Sequence, residues 1–396
     1  MSAILRKSAK SSEILGAIKS VVGDEPANLH EPSFEGNELE YLKECIESTF
    51  VSSSGKYVDK FEDELAAFTS AKFAISVVNG TAALHLSLIL SGVKPGDEVL
   101  VPALSFVATA NAVAYCGATP HFVDSNYETL GLDANRLREY LRVETKMVNG
   151  YCVNKKTQRI IRAVVPMHTF GHPVDIDGVL TLASDFNLQL IEDAAESLGS
   201  LYRNRHTGTF GSFGVLSFNG NKTITTGGGG AILTNNEEFA TKAKHMSTTA
   251  RLKHNWEFKH DEIGFNYRMP NLNAALGCAQ MEKLPEKLQA KKRLFHKYSE
   301  AFSGIKGVKI FVEPQGSNSN YWLQTLILSE DNLELRDEIL EVTNAQKIMT
   351  RPIWTPLSEL RPYFSSPSMK LDVVKSLEKR LISLPSSPSL SLEKHA

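Results

Sequence analysis

Phe73-Ala-Ile-Ser-Val-Val-Asn-Gly-Thr-Ala-Ala-Leu-His85 passes from a β-branched apolar run straight into a helix-forming one, with Asn79-Gly80 as the only punctuation. A strand that turns at a glycine into a helix is the opening unit of a βαβ fold, because parallel strands need a crossover between them. The unit recurs: short apolar runs at 73–78, 98–101, 119–123, 160–165, 188–191, 215–218 and 231–234 alternate with amphipathic stretches at 82–90, 106–115, 134–140 and 176–185. Strands that read as continuous apolar runs are covered on both faces. The expected architecture is therefore α/β, a mostly parallel seven-stranded sheet between helices, with ligands beyond the carboxyl ends of the strands.

Outward from this core, residues 1–30 read as a helical arm, and helices are expected at 37–48 and 58–68. Beyond Pro270, a good first-turn residue, one long helix is expected over 272–302. Short strands at 308–312 and 322–328 and helices at 333–341 and 373–381 then make a smaller α/β domain, and the Ser/Pro-rich stretch 383–391 reads as a surface loop. The division expected is an arm over 1–30, a large domain over 31–268, and a connecting helix with a small C-terminal domain over 269–396.

Composition narrows the function classes. A chain of 396 residues, 42% hydrophobic and 22% charged, is neither disordered nor a disulfide-stapled miniprotein. With 43 Lys+Arg against 45 Asp+Glu, the net charge of −2 gives no field for gripping a polyanion, so no nucleic-acid partner is expected. Cys45, Cys116, Cys152 and Cys278 form no metal-binding or disulfide pattern and read as reduced thiols. No stretch approaches the about 18 apolar residues of a membrane span, and the first ten residues lack the apolar segment of a signal peptide. The expectation is a cytoplasmic protein without a membrane or metal site.

Four motifs sit where such a sheet would place a ligand. Ser217-Phe-Asn-Gly-Asn-Lys222-Thr, followed by Gly227–Gly230, puts a lysine just beyond an apolar strand. Burial disfavours an ammonium, and the freed amine is a nucleophile for a Schiff base; a surface lysine in a flexible turn is the bland reading. A phosphate-loop reading fails on register, since Asn221 separates Gly220 from Lys222. Glu192-Asp193-Ala-Ala-Glu196 ends a strand in carboxylates, one of which could hold a pyridine nitrogen protonated; a magnesium site or a solvated turn would use the same residues. Asn79-Gly80-Thr81 opens a helix whose free N–H groups suit a phosphate. His168 and His172 are four apart, but Gly171 and Pro173 make a loop there rather than a zinc-binding helix. Phe106 is either core or a stacking face for a flat cofactor.

The order of these motifs is specific, with Asp193 placed 29 positions before Lys222. The chain resembles the DegT/DnrJ/EryC1/StrS family of pyridoxal-phosphate-dependent sugar aminotransferases over almost its whole length. The resemblance is carried by Asn79-Gly-Thr-Ala-Ala-Leu-His85, Pro95-Gly-Asp-Glu-Val-Leu-Val-Pro102, Phe106-Val-Ala-Thr-Ala-Asn111, Glu192-Asp-Ala-Ala195, the stretch 217–230 and Gly264-Phe-Asn-Tyr-Arg-Met269. The segment from Gly36-Asn-Glu38 to Val58 is most similar to the branch that aminates UDP-linked 4-keto-6-deoxy-N-acetylhexosamines on the way to bacillosamine or legionaminic acid.

The resemblance implies a fold-type-I enzyme, a homodimer with active sites at the subunit interface, glutamate as amino donor and a nucleotide-linked ketosugar as acceptor. It also implies roles. Lys222 matches the lysine that links to the cofactor and later moves the proton, and Asp193 the partner of the pyridinium nitrogen. Gly80, Thr81 and Ser217 match the phosphate cradle, Asn266 an asparagine reaching the phosphate from the neighbouring subunit, and Phe106 the ring over the cofactor face. Glu196 departs from the commonest pattern: it stands where glutamine often meets the cofactor's phenolic oxygen, and a carboxylate there repels a phenolate unless protonated or turned aside. His168, His172, Arg268, Tyr321 and the region 351–354 are the candidate substrate contacts, with plain packing the other reading of the two histidines. A dehydratase of this fold would carry histidine in place of Lys222. A synthase of an aminated aromatic precursor, or a non-catalytic regulator, could be built on the same fold.

Overall fold

The computed structural model describes residues 8–391. All seven expected strands form: β1 (Phe73–Val77), β2 (Glu98–Pro102), β3 (Thr119–Val123), β4 (Ile160–Val164), β5 (Gln189–Asp193), β6 (Phe213–Ser217) and β7 (Gly230–Thr234). Their order is β1-β7-β6-β5-β4-β2-β3. β7 alone opposes the rest, antiparallel to β1 and β6, while the other neighbours pair in parallel. The strands are almost wholly buried, as their apolar runs require, and helices α4 (Gly80–Leu90), α5 (Val107–Tyr115), α6 (Ala134–Glu144), α7 (Ile176–Asp185) and α8 (Glu237–Ser247) cover them.

A hairpin, Thr145–Val148 with Tyr151–Asn154, adds to the start of β4 and has no counterpart in the sequence expectation. Its turn is Asn149-Gly150, both at positive φ, the commonest two-residue hairpin signal. Buried Glu98 fastens it, accepting from Asn154 Nδ2 at 2.9 Å and Thr157 Oγ1 at 2.5 Å while its partner His121 stands at 2.8 Å.

The long helix expected over 272–302 is two helices, α9 (Asn271–Glu282) and α10 (Leu284–Phe302). Pro285, in the first turn of the second, has no N–H to donate and its ring displaces the carbonyl four residues back, so the chain breaks at Lys283. Helices α2 (Glu38–Glu47) and α3 (Lys56–Thr69) pack on α9 and form a second core around Phe61, Leu65 and Phe218.

The C-terminal layer is a four-stranded antiparallel sheet, Val308–Ile310, Gln324–Leu328, Leu381–Leu384 and Arg351–Pro352 in that order. α1 (Ala9–Val22) joins this layer's core: Ile14, Ile18 and Val22 pack with Leu294, Tyr298 and Ile339, while residues 1–7 of the expected arm lie outside the described residues. The 383–391 stretch is not a surface loop. Leu384 and Ser386 are fully buried, because Lys291 Nζ donates to the Ser386 carbonyl at 2.7 Å and Tyr298 to that of Pro385 at 3.0 Å. Among the described residues no helix is long and apolar enough to cross a membrane, and all four cysteines are buried and unpaired.

Candidate active site

Beyond the carboxyl ends of β5 and β6 lies a cavity of about 350 Å³, lined by Gly80, Thr81, Phe106, Thr109, Asp193, Glu196, Ser217, Lys222 and the glycines 228 and 229, with Trp322 and Trp354 arriving from the C-terminal layer. Seven of the eight residues expected to hold the cofactor therefore meet in one place. The eighth, Asn266, is exposed and outside the lining.

One wall is the start of α4. Asn79 caps it, its side chain accepting the Ala82 N–H at 2.8 Å. The helix end is pressed against the sheet: a Cβ on Gly230 would fall 2.5 Å from the Asn79 carbonyl carbon, and one on Gly80 would come within 3.1 Å of Ser217 Cβ. Glycine at these positions lets the first-turn N–H groups, Thr81 and Ser217 close round one point, an anion cradle at a positive helix end.

Asp193, the last residue of β5, is buried at the cavity floor. Its Oδ2 accepts from Thr109 Oγ1 at 2.8 Å and its Oδ1 from the Ala195 N–H at 3.3 Å. Burial pushes its carboxyl up from the ordinary value, with the bonds from Thr109 and Ala195 and the charge of Lys222 opposing. Thr109 was not among the expected site residues, although it stands in the first turn of α5, just past Phe106 at its N-cap. Phe106 is 52% exposed, an open ring at the cavity's edge.

Lys222 follows β6, its side chain 14% exposed, with Nζ 3.3 Å from Glu196 Oε1 and 3.9 Å from the centre of the Trp322 ring. Trp322 Nε1 donates to the Asn221 carbonyl at 2.7 Å, so the C-terminal layer grips the lysine loop. Glu196 is almost fully buried, and its Oε2 accepts the Phe170 N–H at 2.9 Å. Burial pushes its carboxyl up to about 7, Asp193 adding to the shift and Lys222 and the Phe170 N–H opposing it.

Of the candidate substrate contacts, His168, His172 and Tyr321 are buried side chains outside the cavity lining. His168 is fully buried under the sheet, Nε2 3.1 Å from Glu192 Oε2 and Nδ1 accepting the Val174 N–H at 3.2 Å. Burial pushes Glu192 up, but His168 and the N–H groups of Gly211 and Gly208 outweigh it and hold the carboxylate below its usual value. His172 packs between Phe311 and Tyr321, and burial pushes it down to about 3, a neutral packing ring. Tyr321 is 1% exposed and stacks on Phe295 at 4.2 Å. Arg268 is exposed, donating to Asn266 Oδ1 at 3.2 Å outside the cavity, whereas Trp354 of the 351–354 region does line it.

Residues 32–396 match the profile of the DegT/DnrJ/EryC1/StrS aminotransferase family. The chain belongs to this family. It is 36% identical over 367 residues to GDP-perosamine synthase of Escherichia coli O157:H7, a match covering 92% of this chain and 94% of that one. It is 30% identical over 337 residues, 85% of this chain and 87% of the other, to UDP-2-acetamido-2-deoxy-3-oxo-D-glucuronate aminotransferase of Pseudomonas aeruginosa. The aminotransferase TlmJ of Streptoalloteichus hindustanus superposes with a TM-score of 0.83 at 26% identity, covering 93% of this chain and 95% of that one.

This family member is a pyridoxal-phosphate-dependent aminotransferase acting on a nucleotide sugar. The residues present fit the cofactor. The glycine-walled cradle, which any Cβ on Gly230 would fill, suits its phosphate; Asp193 lies deep enough for a ring nitrogen, Phe106 offers a face, and Lys222 an amine.

Proposed function

We propose that this aminotransferase moves the amino group of glutamate to the 4-keto carbon of a nucleotide-linked 4-keto-6-deoxy sugar, acting in the cytoplasm as a homodimer with shared sites. The observation that carries the reading is the cavity, in which an amine and a buried carboxylate are ringed by Phe106, Trp322 and Trp354. Aromatic faces suit the apolar faces of a pyranose ring and exclude water from it. Bound pyridoxal phosphate supplies an electrophilic carbon and a ring that takes up the electrons left when a substrate proton departs. The chain's own part is positional and protonic. Lys222 takes and returns the proton, Asp193 holds a proton on the ring nitrogen, and the cradle of Gly80, Thr81 and Ser217 fixes the phosphate.

Two acceptors have support. A UDP-linked 2-acetamido-2,6-dideoxy-4-ketohexose follows from the 36–58 segment, and a GDP-linked 4-keto-6-deoxy sugar from the 36% identity to GDP-perosamine synthase. The purified enzyme with glutamate and a panel of UDP-, GDP- and dTDP-linked 4-keto and 3-keto sugars, read by mass spectrometry, separates them. A gain of nitrogen on a 4-keto sugar is expected; amination of 3-keto sugars alone would overturn the reading.

The dimer is supported by charge and by exposed apolar surface. Among the described residues Lys222 is the only cation lining the cavity, whereas glutamate carries two carboxylates and the acceptor a diphosphate. The exposed stretch from Arg251 to Arg268 holds Lys253, Lys259 and Asn266, and in it Trp256, Phe258 and Ile263 stand 74–84% exposed. A second copy seated on this stretch would cover the apolar side chains and receive its charge. Mixing Lys222→Ala with Asn266→Asp protein tests this. If sites are shared, each mixed dimer has one intact site and equal mixing restores about a quarter of the wild-type rate; no recovery after subunit exchange would count against it.

A further inference from the structure

Among the described residues the Lys222 amine has one carboxylate within hydrogen-bond distance, Glu196 Oε1 at 3.3 Å. That carboxyl group is clamped. Its other oxygen accepts the N–H of Phe170, a residue held at φ 57°, and its backbone carbonyl accepts from Asn320 Nδ2 at 2.9 Å. The charged groups facing it are Lys222 on the cavity side and Asp193 at the floor; His168, one layer beneath, faces Glu192 instead. The pair is thus largely shielded from water, at a place where burial and Asp193 penalise the carboxylate. A carboxyl pushed up to about 7 can change its protonation near neutral pH.

We propose that Glu196 is the proton partner of Lys222: ionised, it holds the lysine as an ammonium, and by accepting a proton from Nζ on Oε1 it releases a neutral amine into the cavity. The transfer balances without a co-reactant. The N–H bond breaks with its electron pair left on nitrogen, an O–H bond forms, and the net charge of the pair stays at zero. A lysine that must add to a carbonyl and take up a substrate proton needs its lone pair, and Glu196 supplies that state without exchange with bulk water. The amide of a glutamine in the same place has no such capacity. The inference rests on the aminotransferase reading only for the use made of the amine.

The test uses the full-length, cofactor-free protein and no substrate, so it stands apart from the acceptor panel. Acetylation of Lys222 by acetic anhydride, read by peptide mass spectrometry between pH 5.5 and 10, reports the neutral amine. For a proton-sharing pair the rate rises about tenfold per pH unit to about 7, levels off while one proton is shared, and rises again at higher pH. In Glu196→Gln a single rise is expected. One rise in the wild type, or a plateau that persists in Glu196→Gln, would overturn the proposal. If Glu196→Gln does not fold, infrared titration of the wild type and of Lys222→Ala decides. A protonated-carboxyl band lost near pH 7 in the first should persist to higher pH in the second, where the ammonium is gone; no such band in either protein sinks the idea.

Discussion

Lys222→Ala is expected to lower kcat by at least about 10⁴-fold, since it removes a general base, worth about 10²–10⁴ by itself, together with the covalent hold on the cofactor. The structure offers no neighbour to take its place. The amine is the only one lining the cavity among the described residues, and Trp322 and Glu196 fix its position. Lys222→Arg is expected to fail as fully, because a guanidinium does not give up its proton at working pH. The measurement is glutamate-dependent amination of the accepted sugar, with borohydride reduction and mass spectrometry to follow the covalent link. Wild-type turnover by either variant would remove Lys222 from the mechanism.

Asp193→Asn is expected to act in opposite directions on rate and on stability. An amide cannot hold a proton on a ring nitrogen, so kcat should fall on the order of 10³-fold, comparable to loss of a well-aimed electrostatic group. The amide oxygen can still accept the Ala195 N–H, and the amide N–H can donate to Thr109 Oγ1, which also accepts, so the fold should stand. Burial raises the carboxyl in the cofactor-free protein. A raised carboxyl favours the folded state below its ordinary range, and that contribution is lost as pH rises through the raised value. At pH 8 the cofactor-free variant should therefore unfold at a temperature equal to or above the wild type's, with the difference shrinking toward pH 4. Calorimetry alongside the rate assay checks both, and a variant that is both slower and markedly less stable at pH 8 would mean that Asp193 is a structural group first.

The sequence makes the sheet legible because each strand is an apolar run ended by a turn residue, and it makes Lys222 and Asp193 legible because strand ends of such a sheet point at one place. What it hides is long-range. Trp322 and Trp354 reach the cavity from the C-terminal layer, and nothing local to Asn320-Tyr-Trp322 announces a contact with the loop around Asn221. His168 and His172 are the converse case: a histidine after a strand can face a ligand or pack, and only the fold chooses, because the turn over residues 206–211 closes on Glu192 beside His168, and Phe311 and Tyr321 close on His172. Glu196 was legible as an oddity, but its burial within 3.3 Å of the Lys222 amine was not.

Helix α1 has nowhere to dock until α10 and α11 (Leu333–Ala345), far along the chain, have left the ribosome. Ile14, Ile18 and Val22 of α1 complete a core built from α10, α11 and the strand Leu381–Leu384, and the Glu31 N–H reaches Ser387 Oγ across 356 positions of sequence. At about 5–20 residues per second the nascent chain would carry the apolar face of that helix uncovered for roughly 15–65 s. Over that interval Ile14, Ile18 and Val22 are an uncovered apolar stripe, open to a chaperone or to aggregation. Synthesis rate and chaperone supply, more than the stability of the finished enzyme, should therefore govern its yield.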